Sequence, residues 1–97
     1  MSPGHSLVIP IRHVASFLEL TDEEEAEVLA AVKDATHRLN TELHPDGFNI
    51  GVNVGVAAGQ TVLHAHVHVI PRYRGDVEDP RGGIRHCMPG RGYPPTS

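Results

Sequence analysis

Tryptophan is absent from this chain of 97 residues, and only two phenylalanines and two tyrosines are present. Any core must therefore be aliphatic, and the length supports one small domain. The single cysteine, Cys87, excludes an intrachain disulfide and fits a reducing compartment. Nothing beside it marks an activated thiol. No apolar run approaches a membrane span, and the N-terminus shows no basic region followed by a hydrophobic one. The expectation is a soluble, cytoplasmic protein with no membrane partner. Positive charge is also short. Eight Lys and Arg against twelve Asp and Glu leave a formal charge of −4, which argues against binding a nucleic-acid polymer. Arg72, Arg74, Arg81, Arg85 and Arg91 do gather late in the chain, where a small phosphorylated ligand could use them, although Asp76, Glu78 and Asp79 dilute the region. Internal repeats and low-complexity tracts are missing.

What is present is patterned. Ser6 to Ile11 is short and aliphatic and reads as a strand, with Pro10 near its end or on an edge because proline cannot donate to a ladder. Thr21 followed three residues later by Glu24 is a capping box, and the acidic run around it suits a helix N-terminus. Val28, Val32, Ala35, Leu39 and Leu43 then recur at helical spacing, with Leu29 widening the stripe, until Pro45-Asp46-Gly47 ends the helix. Phe48 to Gly55 alternates with period two, which places Phe48, Ile50, Val52 and Val54 on a buried side. Asn49, Gly51, Asn53 and Gly55 fall on the other side, where glycine permits close approach of a ligand or backbone. A short connection, Ala57 to Thr61, leads into a further strand, so an antiparallel pair is expected.

That further strand is His64-Ala65-His66-Val67-His68-Val69-Ile70. In extended backbone the three imidazoles share one face, and Ala65, Val67 and Val69 form an apolar strip on the other. A structural role for all three histidines is a poor account, since packing gives a strand no reason to repeat imidazole at alternate positions. A metal site is limited by reach. Neighbours two apart stand roughly 6–7 Å from each other and His64 roughly 13 Å from His68, so two of them would need help from His5, His86 or a carboxylate to satisfy short metal bonds. Nucleophilic catalysis at phosphorus uses the row more fully. A neutral imidazole attacks through one nitrogen when the other donates its proton to a fixed acceptor. His66 is the natural nucleophile, with His64 and His68 placed to hold phosphate oxygens or to protonate a leaving group. Asn53, Gln60 and Thr61 offer further hydrogen bonds to phosphate or leaving group.

The stretch AGQTVLHAHVHVIPR, from Ala58 to Arg72, resembles the signature of the histidine-triad (HIT) family of nucleotide hydrolases and transferases. The likeness extends to PGHSLVIPIRHV at Pro3 to Val14, to the acid-capped helix and to FNIGVNVGVAAGQ at Phe48 to Gln60. The resemblance implies an α+β fold, an antiparallel sheet with one main helix packed on it, over residues 1–89, and the Gly-, Pro- and Arg-rich composition after Pro71 predicts an ordered loop followed by a flexible tail at 90–97. It implies that His66 attacks an α-phosphate to form a nucleotidyl-histidine that is then hydrolysed. His64 and His68 would orient the nucleophile and contact phosphate, and His5 would support that network. Asn53, Gln60 and Thr61 would contact phosphates or leaving group. No metal and no cofactor would be needed. The partners implied are a nucleotide or dinucleoside polyphosphate and a second copy of the chain. HVIPRYRGD and DPRGGIR are more similar to bacterial diadenosine-polyphosphate hydrolases than to the phosphoramidase-like branch. The lack of His-Pro-His-x-Gln argues against the uridylyltransferases and phosphorylases that use it. Family members usually carry a segment ahead of the Pro-Gly-His element that contributes strands and much of the nucleoside pocket, whereas here Met1 stands close to it. A longer natural product, a dimer mate filling the gap, or a reduced form with weak binding would each follow. A nucleotide-binding module without turnover and a histidine-based metal binder remain the rivals.

Overall fold

The structure is a computed structural model and describes residues 4–79 and residue 81. The expectations for Arg85, His86, Cys87, Arg91 and the tail from 90 to 97 lie outside the described residues. The chain forms β1 (Ser6–Val8), a one-turn 3₁₀ helix (Phe17–Glu19), α1 (Asp22–Leu43), β2 (Gly47–Gly51), a second one-turn 3₁₀ helix (Val56–Ala58) and β3 (Val67–Arg72). β3 is central in a three-stranded antiparallel sheet of order β1-β3-β2. The α+β architecture with one main helix is as expected.

α1 starts as its sequence dictates. The Thr21 hydroxyl accepts from the Glu24 backbone N–H at 3.1 Å, and the Glu24 carboxylate accepts from the Thr21 N–H at 2.9 Å. Glu24 also takes two hydrogen bonds from Arg12, at 2.8 and 2.9 Å, which tie the segment after β1 to the helix N-terminus. The Arg12 guanidinium, with the Thr21 backbone next, holds the Glu24 carboxyl down at about 2. The helix ends at His44, in the left-handed region with φ 49°, just before Pro45. Val28, Val32 and Leu39 of its stripe are buried, and they pack with Val14, Leu20, Ala65, Val67 and Val69 into an all-aliphatic core, against which Val8, Phe17, Phe48 and Val52 lean.

Several local expectations need correction. The first strand stops at Val8, short of Ile11, because Pro10 has no N–H to extend the ladder. Leu29 is exposed and Leu43 partly so, which leaves a narrower helix stripe. β2 stops at Gly51, and Ile50 and Val54 are not buried. α1 lies across β3 and β1, so the margin formed by β2 lacks the cover that the alternation alone implied. Pro71 sits in the central strand without conflict, since β1 pairs no further along β3 than Val69 and only β2 flanks Pro71.

Candidate active site

β3 begins at Val67, not at His64. Ala65, Val67 and Val69 are buried at alternate positions and His64, His66 and His68 are half-buried between them, so the two-residue alternation survives ahead of the strand. The three rings do not form one row, however. His66 and His68 stand edge to face with centroids 5.0 Å apart, and the His5 ring lies 5.1 Å from His68. The His64 ring turns instead to the segment after β1. It meets His13 edge-on at 4.8 Å, and its Nε2 lies 3.3 Å from the Pro10 carbonyl oxygen.

Backbone, not ring contact, joins His64 to His66. The His66 Nδ1 is 2.8 Å from the His64 carbonyl oxygen. A carbonyl only accepts, so Nδ1 carries the proton and Nε2 keeps the lone pair. Among the described residues no hydrogen bond engages that Nε2. His5 Nε2 and His68 Nδ1 are 2.9 Å apart, so one donates to the other. Burial lowers the His68 pKa, and the neighbouring His66 and His5 push it further the same way. The shift favours neutral His68 near pH 7, which suits it to accepting a proton rather than to giving one to a leaving group.

His5 reaches this position through Gly4, whose φ is +86°. A Cβ there would stand 2.5 Å from the Leu43 side chain, so glycine alone lets the chain pass the end of α1 and deliver His5 to β3.

The remaining candidates lie in the long connection between β2 and β3. Asn53 is half-buried and Thr61 exposed. Gln60 is buried, and its amide is spent on backbone: Oε1 accepts from the Gly55 N–H at 2.9 Å, while Nε2 donates to the carbonyls of Ala15 at 2.6 Å and Val62 at 3.0 Å. It braces the loop from inside. The arginine-rich region is largely self-compensated. Arg72 is held by Asp76 and Asn49, which leaves the Asp76 carboxyl down at about 2, and Arg81 pairs with Asp79. A surface cleft of about 570 Å³ lies between residues 8–12 and the start of α1, and another of about 490 Å³ surrounds Asn49 and Arg72; neither of these is lined by a triad histidine. His13, which the sequence places only within the stretch from Pro3 to Val14 and to which it gives no role, is the residue missed. No local signal marks it, because its partner stands 51 positions away.

Known proteins resemble this chain in sequence and in fold. A protein of Mycobacterium tuberculosis strain CDC 1551 / Oshkosh named AP-4-A phosphorylase is 43% identical over 76 residues, 77% of this chain and 39% of its own length. The bis(5'-nucleosyl)-tetraphosphatase (asymmetrical) of Schizosaccharomyces pombe is 40% identical over 77 residues, 79% of this chain and 42% of its own. A zinc-bound histidine-triad family protein from Mycobacterium smegmatis superposes with a TM-score of 0.71 at 41% identity, over 77% of this chain and 55% of that one. The chain thus spans about half or less of the length of these relatives. The zinc belongs to that protein; the described residues here hold no group of three His, Cys, Asp or Glu side chains arranged to bind a metal ion, and no step below runs through one. The profile described as HIT domain matches residues 1–75, and with the fold and these identities it establishes that the chain belongs to the HIT family.

Proposed function

We propose that this chain carries the catalytic part of a nucleotide hydrolase or nucleotidyl transferase that acts on a nucleotide or dinucleoside polyphosphate. The observation that carries the reading is the Nδ1–H of His66 donating to the His64 carbonyl. In the first step the Nε2 lone pair attacks the α-phosphorus, an N–P bond forms and the bond from phosphorus to the bridging oxygen breaks. The leaving phosphate or nucleotide departs as an anion with those electrons and needs no proton at this step, while His68, in contact with both His66 and His5, stands neutral beside the reacting group as a proton acceptor. The nucleotidyl-imidazole is then positively charged, and the His64 carbonyl dipole, aimed at Nδ1–H, stabilises it. In the second step water attacks the same phosphorus, its proton passes to the neutral His68 and on to solvent, the N–P bond breaks and neutral His66 returns. Asn53 and Thr61 are proposed to contact the phosphates, while Gln60 acts through the loop that carries them.

The named relatives support a dinucleoside polyphosphate as substrate class. One of them is named a phosphorylase, so the absence of His-Pro-His-x-Gln does not by itself exclude phosphate in place of water as acceptor. A homodimer is proposed on the outer edges of β1 and β2, which no strand covers among the described residues.

The test is incubation of the 97-residue protein with diadenosine tetraphosphate in excess chelator, with intact-mass detection of a nucleotidyl adduct. Turnover and adduct that both vanish in His66→Ala support the reading. Binding without turnover would leave a nucleotide-binding module, and activity retained by His66→Ala would remove the nucleophile.

A further inference from the structure

The tautomer of His66 depends on a carbonyl that the sheet does not hold. His64 and Ala65 precede β3, so no ladder bond fixes the peptide between them. A trans peptide is planar, and its N–H and C=O point in opposite directions. Here the Ala65 N–H donates to the Val14 carbonyl at 2.7 Å, and the carbonyl of that same unit faces the other way, toward the His66 Nδ1 at 2.8 Å. The orientation of this one peptide therefore decides which nitrogen of His66 carries the proton. Its remaining freedom, rotation about the His64 backbone, is limited by what holds the His64 side chain: the Pro10 carbonyl at 3.3 Å and the His13 ring at 4.8 Å, with planes 72° apart. Pro10, His13 and Val14 all lie in the segment that follows β1, and Gln60 pins the neighbouring Ala15 carbonyl to the same loop.

We infer that His13 is a positioning residue for the proposed reaction: its ring, packed on His64, clamps the His64–Ala65 peptide against Val14 and so keeps His66 with its proton on Nδ1 and Nε2 ready to attack. This rests on the reading of His66 as nucleophile, but the clamp is measurable without any reaction. His13 touches no reacting atom. It acts through shape, which makes the ring, not its nitrogens, the working part.

The experiment uses the full chain, ¹⁵N-labelled, with imidazole nitrogen shifts recorded free of substrate and the His66 signals assigned from the His66→Ala protein. His66 is expected as the Nδ1–H tautomer in the unmodified protein and in His13→Phe, which preserves an edge-to-face ring. In His13→Ala and His13→Gln the two His66 nitrogens should move toward a tautomer average. With diadenosine tetraphosphate, kcat in those two variants should fall about three- to tenfold, the size of one such ring contact, with KM within about twofold. His13→Phe should keep kcat. Should His13→Ala lose its fold by circular dichroism, the Phe and Gln pair decides alone. Wild-type His66 shifts in His13→Gln, or shifts in His13→Phe as altered as those in His13→Gln, would overturn the assignment. An unmodified protein that turns nothing over would count against the hydrolase reading while leaving the nitrogen shifts as a test of the clamp.

Discussion

Replacing Gln60 separates a loop brace from a phosphate contact. The residue is 4% exposed, and its side chain makes three hydrogen bonds to backbone at 2.6, 2.9 and 3.0 Å. Each contributes about 1 kcal/mol net. Gly55 and Val62 are exposed, so water can take over part of what the amide provided there, whereas Ala15 is half-buried and its carbonyl is less easily rehydrated. Gln60→Ala should therefore cost about 2–3 kcal/mol, a large share of the ~5–15 kcal/mol that holds a typical domain. With a urea slope near ~1 kcal/mol/M for a chain of this size, the midpoint should fall by about 2–3 M. Gln60→Glu should be worse, since a carboxylate oxygen would then face the Ala15 and Val62 carbonyls with no proton to offer. Urea melts followed by circular dichroism measure both variants. A midpoint that moves by less than about 0.5 M in Gln60→Ala, together with a raised KM for diadenosine tetraphosphate, would refute the brace and return Gln60 to the phosphate.

The depressed His68 pKa has a signed consequence. Below its ordinary 6.5 the unfolded chain takes up a proton that the folded chain resists, so the contribution of His68 to stability should be level above pH 7 and decline as pH falls from about 6.5 toward the lower folded value. His68→Asn should flatten that part of the urea-midpoint profile, and an unchanged profile would show that His68 is not the group responsible. Gly4→Ala forces a side chain into a φ of +86° and against Leu43. It should cost about 1–3 kcal/mol and loosen the His5–His68 contact, seen as a lower thermal midpoint with altered imidazole signals for both residues. The outer edges of β1 and β2 should pair with another copy, so sedimentation at micromolar concentration should show a dimer or larger species, and a clean monomer would contradict the proposal.

Whatever depends on near neighbours in the chain was legible before any fold was known. The start of α1 follows from Thr21 and Glu24, three residues apart, and its buried line through Val28, Val32 and Leu39 follows from helical repeat. The alternation of Ala65, Val67 and Val69 with the histidines is equally local, and a nucleophilic role for His66 could be argued from it. Other features required the fold. Ile50 and Val54 alternate as well as Phe48 and Val52, but α1 lies over β3 and β1, so coverage rather than pattern decides their burial. Only the antiparallel register brings His5 to His68 across 63 positions. Only the path of the chain after β1 sets His13 and Val14 against His64 and Ala65. The triplet of histidines could be read residue by residue, whereas the proton on Nδ1 of His66 could not, because it is set by the direction of a carbonyl that a distant part of the chain holds in place.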